Sequence, residues 1–264
     1  MSTLLYLGPE GTHSHEAAKM FGSDGATLVP CRTFGEIFRK LAEDSSLEAI
    51  IPFENSIEGP VTQALDLLAE YDRVRIRKSL SFHIRHNLLT AGELLPHQIT
   101  RVISHPQALG QCDEYLRRNL PEAELIESTS TAAAAKEVSG TTAAIASLAA
   151  AELNGLHVLQ RNIQGARENI TRFLIVTSAE PDASAETTRA LFYITLPNEP
   201  GALLKVLQPF NTVGVNLTFI QSRPRPKHAF QYGFFMEALI TPELTQLMKL
   251  LLDRFSQTRI IGSY

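Results

Sequence analysis

Thr171 and Arg172 stand at the head of a short apolar run, Asn169-Ile170-Thr171-Arg172-Phe173-Leu174-Ile175-Val176. A threonine hydroxyl donates and accepts hydrogen bonds, and a guanidinium is a permanent planar cation. Side by side they can fix a polar ligand and donate to it. The aliphatic residues at 174 to 176 suit a buried parallel strand, apolar on both faces. Both groups would then be held where the chain enters a sheet. A plainer reading fits equally well, a β-favouring threonine beside a solvated flank. Other groups converging on the same place decide between the two.

Four such groups follow strand-like runs. After Leu4 to Leu7 comes Gly8-Pro9-Glu10-Gly11-Thr12, then a helix from about His13 to Phe21. The glycines allow a tight turn, Thr12 or Ser14 can cap the helix, and its free N–H groups form a ready anion site. Residues 47–53 lead into Glu54-Asn55-Ser56, an acid, an amide and a hydroxyl that suit a polar ligand as well as a turn. Arg101-Val102-Ile103-Ser104 leads into a helix through His105-Pro106-Gln107 and Gln111. Leu125-Ile126-Glu127 leads into Ser128-Thr129-Ser130-Thr131, a strong N-cap signal.

Strand, loop and helix alternate about five times before residue 155, which predicts an α/β fold with a mainly parallel sheet. Ligands of such sheets sit at the carboxyl ends of the strands, so the four loops should share one crevice. Residues 74–89 alternate basic and apolar, as an extended crossing segment would. The Thr171 strand arrives long after the first sheet has formed and is expected to rejoin it. The expectation is a two-lobed unit over 1–178 with a cleft, its second lobe at roughly 80–155.

The totals set the bounds. With 264 residues, 44% apolar and 20% charged, the chain reads as an ordinary globular protein. A net charge of -4 without a basic cluster argues against nucleic acid. No apolar run approaches the ~20 residues that cross a bilayer, and the N-terminus has no basic leader, so a cytoplasmic protein is expected. Cys31 and Cys112 read as buried free thiols. Residues 179–188 are small, acidic and contain Pro181, a linker composition. Residues 189–264 then read strand, helix, strand, strand, helix, strand, a ferredoxin-like βαββαβ order. A sheet of that size is expected to leave a face or edge open for dimerisation.

In order along the chain, Gly8-Pro9-Glu10-Gly11-Thr12 with Ser14, Pro52-Phe53-Glu54-Asn55-Ser56, His105-Pro106-Gln107, Ser128-Thr129-Ser130-Thr131-Ala132 and Thr171-Arg172-Phe173 resemble the motifs of prephenate dehydratases. Residues 189–264 resemble the ACT regulatory domain attached to them, with Gly201-Ala202-Leu203-Leu204 and Gln221-Ser222-Arg223-Pro224 matching its phenylalanine-responsive patterns. The resemblance covers nearly the whole chain. It implies a catalytic domain like type II periplasmic binding proteins, loss of water and carbon dioxide from prephenate to give phenylpyruvate, and no metal or organic cofactor. It assigns the catalytic role to Thr171. Glu54 is the expected proton source, and Arg172 the expected partner of a substrate carboxylate. Phe173, Asn55, Ser56, Ser104, Gln107, Gln111, Ser128, Thr129 and Thr12 are expected around the substrate.

In the second unit the resemblance implies that Asn198, Gly201, Ala202, Leu203, Asn216 and Gln221 answer to L-phenylalanine, in a homodimer or homotetramer joined through these domains. Two positions depart from the pattern. His13 stands where the family usually has an aromatic residue, and Gln221 replaces the usual glutamate. Arogenate dehydratase, acting on the amino analogue of prephenate, fits the same motifs. A non-catalytic amino-acid sensor that kept the fold and lost the chemistry is a second alternative, and the presence of Thr171, Arg172, Glu54 and Asn55 speaks against it. A transporter's solute-binding component is a weaker fit, given the second domain.

Overall fold

In a computed structural model of the chain, the described residues are 2–22, 25–165, 168–180, 187–225, 231–255 and 258–264. The elements are β1 (Thr3–Leu7), α1 (His13–Phe21), β2 (Thr27–Cys31), α2 (Phe34–Glu43), β3 (Leu47–Asn55), β4 (Gly59–Pro60), α3 (Thr62–Glu70), β5 (Arg75–His83) and β6 (Asn87–Thr90). Then come β7 (Arg101–Ser104), α4 (Pro106–Gln111), α5 (Asp113–Asn119), β8 (Glu124–Glu127), α6 (Thr131–Lys136), β9 (Thr142–Ala146), α7 (Leu148–Asn154), β10 (His157–Gln160) and β11 (Ile170–Thr177). The chain ends with β12 (Arg189–Thr195), α8 (Ala202–Val213), β13 (Leu217–Pro224), β14 (Tyr232–Leu239), α9 (Leu244–Arg254) and β15 (Thr258–Ser263).

Three sheets result. The first has the order β2-β1-β3-β11-β5, with β4 attached to β3, and the second β10-β6-β9-β7-β8. Both are mixed rather than mainly parallel. In the first, β11 runs antiparallel to β3 on one side and to β5 on the other. Its apolar content therefore reports burial and not strand direction; Phe173, Leu174 and Val176 have almost no exposed surface. The chain passes between the sheets at 84–86 and again between β10 and β11. The two passages are stitched together by Ile84 N–H to the Asn169 carbonyl (2.8 Å) and Ile163 N–H to the His86 carbonyl (2.9 Å). The second sheet runs from Asn87 to Gln160, later at both ends than 80–155, because β5 stays paired with β11 as far as His83.

Side-chain caps start several helices. Thr12 accepts from His15 N–H at α1, Ser130 from Ala133 N–H at α6 and Ser147 from Ala150 N–H at α7. Sequence reading overlooked β2 and α2. Pro30 lies inside β2, which is possible because β2 is an edge strand with one side free of the ladder.

The third sheet has the order β13-β14-β12-β15. One face packs on α8 and α9 through Phe192, Val206, Phe210, Met236, Leu247 and Leu251. The other face is covered by the first sheet and α3 of the same chain. Leu191, Phe219, Phe235 and Ile261 share one apolar cluster with Phe53, Leu65, Leu68, Ile76, Leu174 and Val176. Gly262 makes the approach possible, since a Cβ there would stand 2.6 Å from the Ile76 carbonyl oxygen. Arg223 clamps Asp66 through two bonds of 2.7 and 2.6 Å across the same boundary. Among the described residues, an outer edge of β13 has no strand neighbour. Of the residues read as a linker, 181–186 lie outside the described ones. Cys31 and Cys112 are buried free thiols, and among the described residues no helix is long and apolar enough to cross a membrane.

Candidate active site

A cleft of about 480 Å³ opens between the first two sheets, lined among others by His13, Ser14, Asn55, Glu58, His86, His105, Gln107, Gln111, Thr129, Asn169, Thr171 and Phe173. Its walls come from both sheets, and its floor from the two passages between them. That placement follows from topology. A chain that leaves a sheet and returns leaves the ends of its crossing segments at the junction.

Thr171 is 6% exposed and lies in the ladder between Asn55 and Phe82. Asn55 Nδ2 donates to its Oγ1 at 2.9 Å. With that lone pair taken, the hydroxyl proton is left for another acceptor. Asn55 Nδ2 also donates to Asn169 Oδ1 (2.6 Å), Asn169 Nδ2 to Gln111 Oε1 (2.7 Å), and His86 Nε2 lies 2.8 Å from the same oxygen. Five side chains from both passages and both lobes thus form one polar chain. Asn55 Oδ1 meanwhile accepts from Ile57 and Glu58 N–H, fixing the loop after β3.

Arg172 is not in the cleft. Successive strand residues face opposite sides of a sheet, so with Thr171 facing the cleft Arg172 faces the third sheet. There its Nη1 meets both oxygens of Glu237 at 2.6 and 2.8 Å and its Nη2 meets Glu54 at 3.0 Å. The guanidinium also lies over the Phe53 ring, 4.7 Å from its centroid. Neither Arg172 nor Glu54 is among the residues lining the cleft, so the structure does not bring the expected carboxylate ligand and the expected proton source together with Thr171. Glu54→Gln is accordingly expected to leave the pH profile of kcat unchanged and to cost at most about 1 kcal/mol of stability in denaturant titrations, as for a partly exposed ion pair.

Four other expected contacts are structural. Ser104 is fully buried and its hydroxyl donates to the Ile145 carbonyl at 2.7 Å. Ser56 closes the entrance of β11, its hydroxyl donating to the Glu168 carbonyl and accepting from Ile170 N–H, both at 3.0 Å. Thr12 caps α1 and bonds back to the Pro9 carbonyl at 3.0 Å, while Ser14 takes the place on the cleft wall. Ser128 pairs its N–H with the Ser104 carbonyl at 2.8 Å and does not line the cleft, whereas Thr129 does. Sequence reading had no role for His86, Glu58 or Asn169. A fully polar residue at a crossing between lobes was the available signal.

The expected effector residues divide. Asn198, Gly201, Ala202 and Leu203 gather at the start of α8, where Gly201 adopts φ 81°. Asn216 lies beyond the other end of that helix, about 18 Å away along its axis, and Gln221 bonds locally to the Ser222 carbonyl. Within one chain these residues do not form one site.

Known proteins bear the same pattern. Residues 4–181 match the family model for prephenate dehydratase. The chain is 36% identical to a bifunctional chorismate mutase/prephenate dehydratase of Aquifex aeolicus, over 99% of this chain and 73% of that one. It is 31% identical to the prephenate dehydratase of Methanocaldococcus jannaschii, over 99% of this chain and 97% of the other. A prephenate dehydratase of Arthrobacter aurescens, solved in complex with L-Phe, superposes with a TM-score of 0.88 at 31% identity, covering 99% of this chain and 89% of that one.

Proposed function

The chain belongs to the prephenate dehydratase family, lyases acting on prephenate, and we propose that the cleft between the first two sheets holds the substrate with its ring hydroxyl at Thr171. The ring carboxylate leaves as carbon dioxide. Its bonding electron pair moves into the ring as the C4–oxygen bond breaks, and aromatisation drives both steps. Hydroxide is a poor leaving group, so a donor at the departing oxygen lowers the barrier. A threonine hydroxyl is far too weak an acid to surrender its proton near neutral pH. Thr171 therefore acts by hydrogen bonding to the oxygen on which charge develops.

The Asn55 bond to Thr171 Oγ1 carries this reading, because it directs the hydroxyl proton away from the protein's own acceptors. Phe173, also on the cleft wall, offers an apolar surface to the ring. Turnover of prephenate to phenylpyruvate, followed by ultraviolet absorbance, is the test. The amino analogue, arogenate, is offered in parallel, since Glu58 is a carboxylate on the cleft wall that suits an ammonium. Release of no product from either substrate would sink the reading.

Residues 189–264 are proposed to be an ACT regulatory domain responsive to L-phenylalanine. Their βαββαβ order and the L-Phe complex of the Arthrobacter relative support this. With Asn198 and Gly201 at one end of α8 and Asn216 at the other, an effector touching both sets needs a second copy of the chain. The free edge of β13 suits such a pairing. Added phenylalanine is expected to lower turnover and to release heat in titration calorimetry, with a dimer or tetramer on size exclusion. A monomer unaffected by phenylalanine would refute the assignment.

A further inference from the structure

Three cleft-lining residues carry a buried polar atom without a hydrogen-bond partner: Nε2 of His13, Nδ1 of His86 and Nε2 of Gln111. The chemistry at Thr171 uses none of these atoms. Buried polar groups are nearly always paired, and unpaired ones gathered on one wall are what a polar ligand satisfies.

Their polarity follows from their neighbours. Gln111 Oε1 already receives Asn169 Nδ2 and faces His86 Nε2, so Gln111 Nε2 is a free donor. His86 is only 4% exposed, and burial, helped by His13 nearby, pushes its pKa down to about 4, so it stays neutral. His13 is different, because a carboxylate stands behind it: its Nδ1 lies 3.0 Å from Glu16 Oε2. Burial alone would push the Glu16 carboxyl up, but the hydrogen bond from His13 and those from the Ala149 and Leu148 N–H groups outweigh it and hold the group below its ordinary value. Glu16 is thus an acceptor, and His13 Nδ1 is the donor. Glu16 Oε1 takes the Ala149 N–H at 3.1 Å, in the first turn of α7 on the other lobe. The dyad is anchored on both sides of the cleft.

Charge supplies the second argument. Prephenate carries two carboxylates, yet no Lys or Arg is among the described residues lining the cleft, and Arg172 is engaged on the opposite face of β11. A carboxylate set on His13 Nε2 would place the imidazole between two carboxylates, one at each ring nitrogen.

We propose that His13, held by Glu16, is a substrate-binding residue whose Nε2 receives one carboxylate of the substrate together with Nε2 of Gln111, at the far end of the polar chain from Thr171. The proposal rests on the cleft being the prephenate site. Around His13 the titratable and charged groups are Glu16 on its own helix, His86 from the passage between the lobes, and Glu58 and His105 on the cleft walls; Lys19, further along α1, is paired with Glu152 of α7.

The test is KM and kcat for the wild type, H13F, H13Q, H13K and E16Q, with melting temperatures taken alongside. H13F keeps the ring size without a nitrogen. It is expected to raise KM about 10–100-fold, as for a lost charged hydrogen bond, and to change kcat little. H13Q, polar but uncharged, is also expected to raise KM, so the reading survives if H13F folds poorly. H13K restores low KM. E16Q, which removes the carboxylate behind Nδ1, is expected to raise KM less than H13F does. A wild type that turns over prephenate while H13F and H13Q keep its KM overturns the His13 assignment alone. A wild type that releases no phenylpyruvate overturns the reading of the cleft itself.

Discussion

Thr171→Ala is expected to lower kcat by about 10²–10³-fold or more while leaving KM nearly unchanged. That is the usual cost of removing one preorganised donor from a transition state. The split between the two constants follows from when the bond matters. The C4 oxygen is a neutral hydroxyl in the bound substrate and gains negative charge only as it departs, so the donor stabilises the transition state far more than the ground state. The fold should tolerate the change. Removing Oγ1 leaves one N–H of Asn55 Nδ2 on Asn169 Oδ1 at 2.6 Å and the other within reach of the Ile170 carbonyl at 3.4 Å. Thr171→Ser keeps the hydroxyl and should recover most of the rate. Steady-state assays of phenylpyruvate release, with thermal melting as the control, check all three points. A Thr171→Ala enzyme with normal kcat and raised KM would reduce Thr171 to a binding contact.

Much of this site was legible because its loops announce themselves. Gly8 to Thr12, Glu54 to Ser56 and Ser128 to Thr131 are polar punctuation after apolar runs, and such punctuation marks strand ends, where clefts form. What the one-dimensional pattern hides is which face a side chain takes. Thr171 and Arg172 are neighbours in sequence and opposites in space, as are Glu54 and Asn55, because strand side chains alternate. Four adjacent polar residues therefore divide into two sites, Thr171 and Asn55 in the cleft and Arg172 and Glu54 against the third sheet. Strand direction was hidden for a related reason. Val and Ile in β11 register burial on both faces, and an interior antiparallel strand buries as much as a parallel one. The covered face of the third sheet could not be foreseen either. Phe219, Phe235 and Ile261 are as apolar as a dimer surface would be, and only the folded chain shows that they pack on Phe53 and Leu65.

Arg172→Met is expected to destabilise the protein by about 3 kcal/mol or more, because it strands a buried carboxylate. Glu237 has no exposed surface. Its oxygens also receive Arg189 at 3.0 Å, Thr218 at 2.7 Å and Tyr264, so the loss should fall at the lower end of the range for broken buried pairs. Replacing both partners, Arg172→Met with Glu237→Met, should recover only part of that loss, since it removes the buried charge but takes the Glu237 oxygens from Arg189, Thr218 and Tyr264. Acid gives an independent reading. Burial pushes the Glu237 carboxyl up, but the hydrogen bond and charge of Arg172, with the hydroxyls of Tyr264 and Thr218, outweigh it and hold the group below its ordinary value. A depressed carboxylate contributes stability that is whole above its unfolded pKa of about 4.3 and is lost as pH falls through the lower folded value. Urea titrations from pH 7 to pH 3 should therefore show the wild type losing an increment of stability in acid that the double variant lacks. Activity separates this role from the one the motif implied. If Arg172 gripped the substrate, Arg172→Met would raise KM in a protein as stable as the wild type. As the tie between β11 and the third sheet it should instead lower stability and kcat, through the placement of Thr171, and leave KM close to its wild-type value.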